Sequence, residues 1–141
     1  MSAAVFVDTN ILLYSRSQQE HLKQRIAHEW VTRLWREGSG RISVQVLNEF
    51  YWLATRKTDA GMPSEEAWRT VEALLNWEPL PVTADLMNQG RQIERRYRIS
   101  WWDSLIVAAA QRQDCEFLLT EDLQHGMEFG STRVLNPFRA G

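Results

Sequence analysis

Two very short apolar runs, each leading into an acid, constrain this chain more than any other feature. Residues 3–7 read AAVFV and run straight into Asp8, while residues 116–119 read EFLL and lead through Thr120 to Asp122. Continuous apolar runs of this length, bounded by polar turn residues, read as strands buried on both faces. A third short run, residues 132–135, reads the same way. Strands buried on both faces need helices on both sides. The spacing between the runs supplies those helices, so the pattern is that of βα units and a parallel sheet, an α/β fold.

The helices are read from apolar periodicity and from their stops. Residues 9–14 form a short first helix. Residues 18–37 form a longer one, with Leu22, Ile26, Trp30 and Leu34 inward and Gly38 and Gly40 as its stop. Residues 41–43 are a brief strand. Residues 44–57 are helical, with Val46, Leu47, Phe50, Leu53 and Ala54 as one apolar stripe. Pro63 and Ser64 open the next helix, with Ala67, Trp68, Val71, Leu74 and Leu75 inward, and residues 80–82 are a weak strand or connector. Residues 83–98 are helical with Leu86, Gly90, Ile93 and Tyr97 on one face, and residues 100–113 are a strongly apolar helix. A small central sheet wrapped by helices is the economical architecture. At 141 residues without repeats or linkers, residues 1–141 read as one domain.

Composition narrows the class. No apolar run approaches the ~18–20 residues of a membrane span. The start, MSAAVFVDTN, has no basic stretch before Asp8 and does not read as a secretory signal. A lone cysteine, Cys115, allows neither an internal disulfide nor a thiolate metal site, which fits a cytoplasmic protein. The net charge is −2, so any contact with nucleic acid must come from local basic patches and bound metal.

Four acids stand at telling positions. Asp8 follows the first strand and precedes a helix; it can be a helix N-cap, and it is also placed at the sheet's carboxyl edge, where ligands bind in such folds. Glu49 lies between Val46 and Leu53 on the inward stripe of its helix, where an unpaired carboxylate costs several kcal/mol. Asp103 sits one turn before Ile106 and Val107 in the most apolar helix, and also completes a capping box with Ser100. Asp122 repeats the context of Asp8, while its neighbour Glu121 is read as solvated. Each acid has a structural explanation alone. Together they can converge at one sheet edge, where mutual repulsion would raise their pKa values and a divalent cation would relieve it. Oxygen-only ligands favour Mg2+ or Mn2+, and such a cation beside a phosphate suits phosphodiester hydrolysis.

The stretches VFVDTNILLY, ISVQVLNEFYWLATR, SWWDSLIVAAA and LLTEDLQHG, in that order across essentially the whole chain, resemble PIN-domain ribonucleases, and in particular the VapC-type toxins of bacterial toxin–antitoxin pairs. The resemblance implies a three-layer α/β/α sandwich with a small central parallel sheet of about four or five strands. It implies an endoribonuclease dependent on Mg2+ or Mn2+, with Asp8 and Asp103 as principal metal ligands and Glu49 and Asp122 completing the site. Thr9, Asn10 and Thr120 adjoin these acids and are expected to orient them by hydrogen bonds, or else to serve as caps and turns. The implied partners are an RNA substrate, a second copy of the chain, and an antitoxin laid in a helix-lined groove.

In the mechanism so implied, a water made more acidic by the cation attacks phosphorus in line, leaving 5′-phosphate and 3′-hydroxyl ends. His21, His28 and His125 lie outside the acid motifs apart from His125 just after Asp122, and are expected at the surface. Arg91, Arg95, Arg96 and Arg98 cluster near the end of one helix and can either hold RNA phosphates or face solvent; Arg56 and Lys57 are a second such pair. Trp30, Trp68 and Trp102 have inward or near-inward phase and read as core, Trp52 falls off the stripe, and Trp35 and Trp101 are ambiguous. An aspartyl-phosphate phosphatase is disfavoured because Asn10 stands where a second acid is needed. A housekeeping RNA-processing nuclease and a non-catalytic RNA-binding module of the same fold remain the alternatives.

Overall fold

The computed structural model describes residues 3–56 and 61–139. Among these, the chain forms strands β1 (Val5–Val7), β2 (Gly40–Arg41), β3 (Phe117–Leu119), β4 (Glu128–Phe129) and β5 (Thr132–Leu135). Its helices are α1 (Thr9–Tyr14), α2 (His21–Glu37), α3 (Val44–Arg56), α4 (Ser64–Leu74), α5 (Ala84–Tyr97) and α6 (Trp101–Arg112), with a 3-10 turn at Leu75–Trp77. No helix of the described residues is long and apolar enough to cross a membrane.

The strands lie in the order β2-β1-β3-β5-β4, parallel except for the β4–β5 pair. Val5, Phe6 and Val7 are all buried, although successive strand residues point to opposite faces. Both faces of the sheet are therefore covered, which gives the α/β/α arrangement the apolar runs required. The chain leaves β1 for β2 on one side and returns through α3–α6 to β3 on the other. The carboxyl end of β1 is thus the point where connections diverge and a crevice opens.

Local chemistry explains the boundaries. Asp8 caps α1, and Thr83 and Ser100 cap α5 and α6 by accepting from Leu86 N and Asp103 N. The helix α2 ends at Gly38, whose φ of +68° is a left-handed cap. Two residues on, Gly40 lies under the indole of Trp77: a Cβ there would stand 2.4 Å from Trp77 Cη2. In α6 every residue from Ser104 to Ala110 is buried, as expected of a helix enclosed all round.

Several expectations need correction. Leu22 (65% exposed) stands in the first turn of α2, whose inward contacts are made by Lys23 and Gln24 instead, and α2 begins at His21 rather than at residue 18. Trp68 and Leu75 are exposed, because the wide apolar stripe read for α4 narrows to Ala67, Val71 and Leu74, while Leu75 falls in the 3-10 turn. Trp102 is exposed too: it stands in the first turn of α6, before the buried stretch that begins at Ser104. Residues 80–82 contribute only a bridge between Ser43 and Leu80, and β4 was not foreseen. Lys57, read as the last residue of its helix, lies outside the described residues.

Gly40→Ala is expected to destabilise the fold by about 1–3 kcal/mol, because the added methyl must displace the indole. Equilibrium urea unfolding checks this; an unchanged midpoint would mean that Trp77 yields freely.

Candidate active site

The geometry starts at Asp8. Its backbone N–H extends the β1–β3 ladder by donating to Leu119 O (3.0 Å), which fixes the residue at the crevice. Its side chain turns back to cap α1, Oδ1 accepting from Thr9 N at 2.7 Å. Oδ2 accepts from Thr120 Oγ1 at 2.7 Å and from Asn10 Nδ2 at 3.4 Å. The residue is only 5% exposed. Capping and site formation are therefore served by different oxygens of one carboxylate.

The other three acids arrive from separate elements. Glu49 projects from α3, Oε1 accepting from Thr9 Oγ1 (2.8 Å) and Oε2 from Gln45 Nε2 (3.2 Å), one turn earlier. Asp103 stands in the first turn of α6, its N–H capped by Ser100 Oγ at 3.0 Å. Asp122 follows β3; its N–H donates to Thr120 Oγ1 (3.1 Å) and its Oδ2 accepts from Asn10 Nδ2 (3.0 Å). All four side chains line one cleft of about 300 Å3, with Leu13, Leu53, Trp102 and Ile106 as its apolar wall. No lysine or arginine of the described residues lines it.

Asn10 and Thr120 tie this cleft together. Asn10 Nδ2 reaches Asp8, Thr120 Oγ1 and Asp122, while its Oδ1 accepts from Glu121 N at 3.3 Å. The buried Thr120 hydroxyl donates to Asp8 and accepts from Asp122 N. The orienting bonds expected of Thr9, Asn10 and Thr120 are all present. Glu121 departs from its reading as solvated: it is half-buried, accepting from Tyr14 OH (2.6 Å) and from Lys23 Nζ. Burial alone would raise its pKa, but the bonds and charge of Lys23 and the Tyr14 bond outweigh it and hold the carboxyl below its ordinary value.

Electrostatics sets Asp8 apart. Burial, with Asp122 and Glu49 adding repulsion, pushes its pKa from 3.8 to about 7 against the bonds from Thr120 and Thr9. Asp103 is raised in the same direction, first by burial and then by Asp122 and Glu49, with Ser100 opposing. Among the described residues no three acidic, histidine or cysteine side chains already stand in chelating geometry. The acids line the cleft instead. The donor set still fits a hard divalent cation: every ionisable group lining the cleft is a carboxylate, and two of them are held above their ordinary pKa by burial and by the repulsion of the other acids. Gln45, which sequence reasoning missed, adds a buried Oε1 without a partner among the described residues. Only its position one turn before Glu49 hinted at it.

The histidines are all exposed; His125 Nδ1 accepts from Asn136 N at 3.1 Å. None of Arg91, Arg95, Arg96 and Arg98 lines the cleft, and Arg91 pairs with Glu94 at 2.9 Å. Arg96 instead borders a separate groove with Arg112.

Comparison with known proteins gives one family and a consistent set of folds. The family model described as the PIN domain matches residues 5–126. Among solved structures, a toxin–antitoxin complex from Klebsiella pneumoniae is similar, with a TM-score of 0.70 and 22% identity over 98% of this chain and 100% of that one. VapC20 of Mycobacterium tuberculosis, described as a Sarcin-Ricin loop cleaving toxin, has a TM-score of 0.62 and 20% identity over 82% of this chain and 87% of that one. VapBC2 from Rickettsia felis, bound to a DNA fragment from its promoter, has a TM-score of 0.60 and 18% identity over 84% of this chain and 87% of that one. A search of curated protein sequences found no match.

The raised pKa of Asp8 has a signed consequence for the metal-free protein. The folded state keeps a proton that the unfolded chain releases, so stability falls as pH rises from about 4 through about 7. Asp8→Asn keeps the cap but carries no charge. It is expected to flatten that decline and to stabilise the metal-free protein above pH 7 by about 1–3 kcal/mol. Urea unfolding across the pH range in EDTA checks this; parallel profiles for the two proteins would refute it.

Proposed function

The chain belongs to the PIN-domain family, and we propose that it is an endoribonuclease dependent on Mg2+ or Mn2+ that acts as the toxin of a toxin–antitoxin pair. The observation that carries this reading is the convergence of Asp8, Glu49, Asp103 and Asp122, from four separate elements, on one cleft lined by no lysine or arginine among the described residues. Asp8 and Asp103 are the proposed principal metal ligands, with Glu49 and Asp122 completing the set. A divalent cation bound there supplies charge neutralisation at a scissile phosphate and a more acidic water. The protein's own groups hold the acids in place. Thr9 bridges Asp8 and Glu49, donating from its backbone to one and from its hydroxyl to the other. Asn10 and Thr120 bridge Asp8 and Asp122. Tyr14 and Lys23 anchor Glu121, the residue before Asp122.

The toxin assignment rests on the similar structures, one described as a toxin–antitoxin complex, one as a cleaving toxin and one as VapBC2 bound to promoter DNA. An antitoxin, a second copy of the chain and RNA are the proposed partners, and the cytoplasm is the proposed setting.

Asp8→Asn and Asp103→Asn are each expected to lower RNA cleavage by about 100-fold or more while the circular dichroism spectrum stays unchanged. EDTA should stop cleavage by the unmodified protein and added Mg2+ or Mn2+ should restore it. Full activity in EDTA would overturn the mechanism.

A further inference from the structure

Two adjacent tryptophans open α6 and serve different ends. Trp101 is half-buried and packs at Gly90 of α5, where an added Cβ would stand 3.6 Å from its ring. Trp102 is 62% exposed, although the helix it opens is buried from Ser104 to Ala110. Its backbone is tied down, Gln45 Nε2 donating to Trp102 O at 3.4 Å, so the ring is presented from an anchored position. Trp102 is among the residues that line the carboxylate cleft, next in sequence to Asp103. A cleft that handled a phosphate and a cation alone would have no use for an apolar wall of Leu53, Ile106 and an open indole.

A second exposed aromatic continues the same surface. On α3, Gln45, Glu49, Trp52 with Leu53, and Arg56 follow at helical spacing, so they form one stripe running away from the acids. Trp52 is 57% exposed, and the Arg56 guanidinium lies over its ring at 3.4 Å. From Glu49 to Arg56 this stripe covers about 10 Å along the helix. It passes from carboxylate to aromatic ring to cation. Flat π faces beside a positive charge are the elements with which proteins hold unpaired nucleotides, bases on the rings and phosphate on the cation.

We propose that the exposed indole of Trp102 and the Trp52–Arg56 pair are the stacking contacts that lay an unpaired stretch of RNA across the carboxylate cleft. Trp102 receives the base next to the scissile phosphate. Trp52 and Arg56 receive the flanking nucleotide. The inference rests on the ribonuclease reading and adds which side chains hold the substrate, the rings of Trp102 and Trp52 with Arg56 rather than the arginines of α5. The net charge of −2 agrees with this division, because stacking supplies affinity that the charge does not.

The test measures fluorescence anisotropy of a labelled, mixed-sequence single-stranded RNA with the full chain in Ca2+, alongside cleavage in Mg2+. Trp102→Ala and Trp52→Ala are each expected to weaken RNA binding by about tenfold or more. Trp102→Phe should recover most of that loss, and annealing the RNA to its complement should abolish the difference between the proteins. Both rings are exposed, so the thermal midpoints should stay put. If the unmodified protein binds and cleaves RNA but the alanine variants bind it equally well, the stacking inference fails and the ribonuclease reading survives. If the variants instead change the sedimentation mass with RNA affinity intact, the rings belong to an interface between copies and the inference is overturned. If the unmodified protein neither binds nor cleaves RNA, the ribonuclease reading and the inference fall together.

Discussion

The structure turns on burying a carboxylate where water cannot solvate it. Asp8 sits at the carboxyl end of β1, 5% exposed, with Glu49 and Asp122 close enough to add to its pKa shift. A lone charge there would be costly. The surrounding chain reduces the cost without removing it. Thr9 N, Thr120 Oγ1 and Asn10 Nδ2 donate to the two oxygens, yet the carboxyl still holds its proton up to about pH 7. The fold thus leaves a deficit of positive charge at one point, and the order β2-β1-β3 makes that point a crevice.

Much of this was legible in the residues, and the reasons can be named. The short runs ending at Val7 and Leu119 could only be buried strands, so the acids just beyond them had to lie at one sheet edge. Glu49 was legible because helical periodicity put a charge on an apolar face. The capping of Asp103 N by Ser100 followed from their spacing alone. What failed did so where periodicity says nothing about neighbours. Trp68 and Trp102 had inward or near-inward phase but remain half or more exposed, Trp68 meeting only the edge-to-face ring of Tyr51 among the aromatic residues described, and phase cannot reveal how far a neighbouring element covers a side chain. Glu121 was misjudged because its partners, Tyr14 and Lys23, are about a hundred residues away in sequence. Gln45 carries no charge and so gave no signal.

Charge and aromatic surface are distributed with the same economy. Among the described residues, the cleft has acids and no bases; the nearest cation along its α3 wall is Arg56, drawn onto Trp52. The only ion-paired lysine of the described residues, Lys23, holds the Asp122 loop through Glu121 and lies over the rings of Tyr14 and Phe138. Basic groups near the site therefore brace the acids or flank them, and none neutralises them.

The central claim is that the four carboxylates form a cation site completed on binding. Calorimetric titration of Mn2+ into the full chain near pH 7, in two buffers of different ionisation enthalpy, tests it most directly. Because the cation favours the ionised form, binding should be saturable and should release a proton from Asp8, with both signals lost in Asp8→Asn. Absence of saturable binding, or binding of equal strength in Asp8→Asn, would contradict the account.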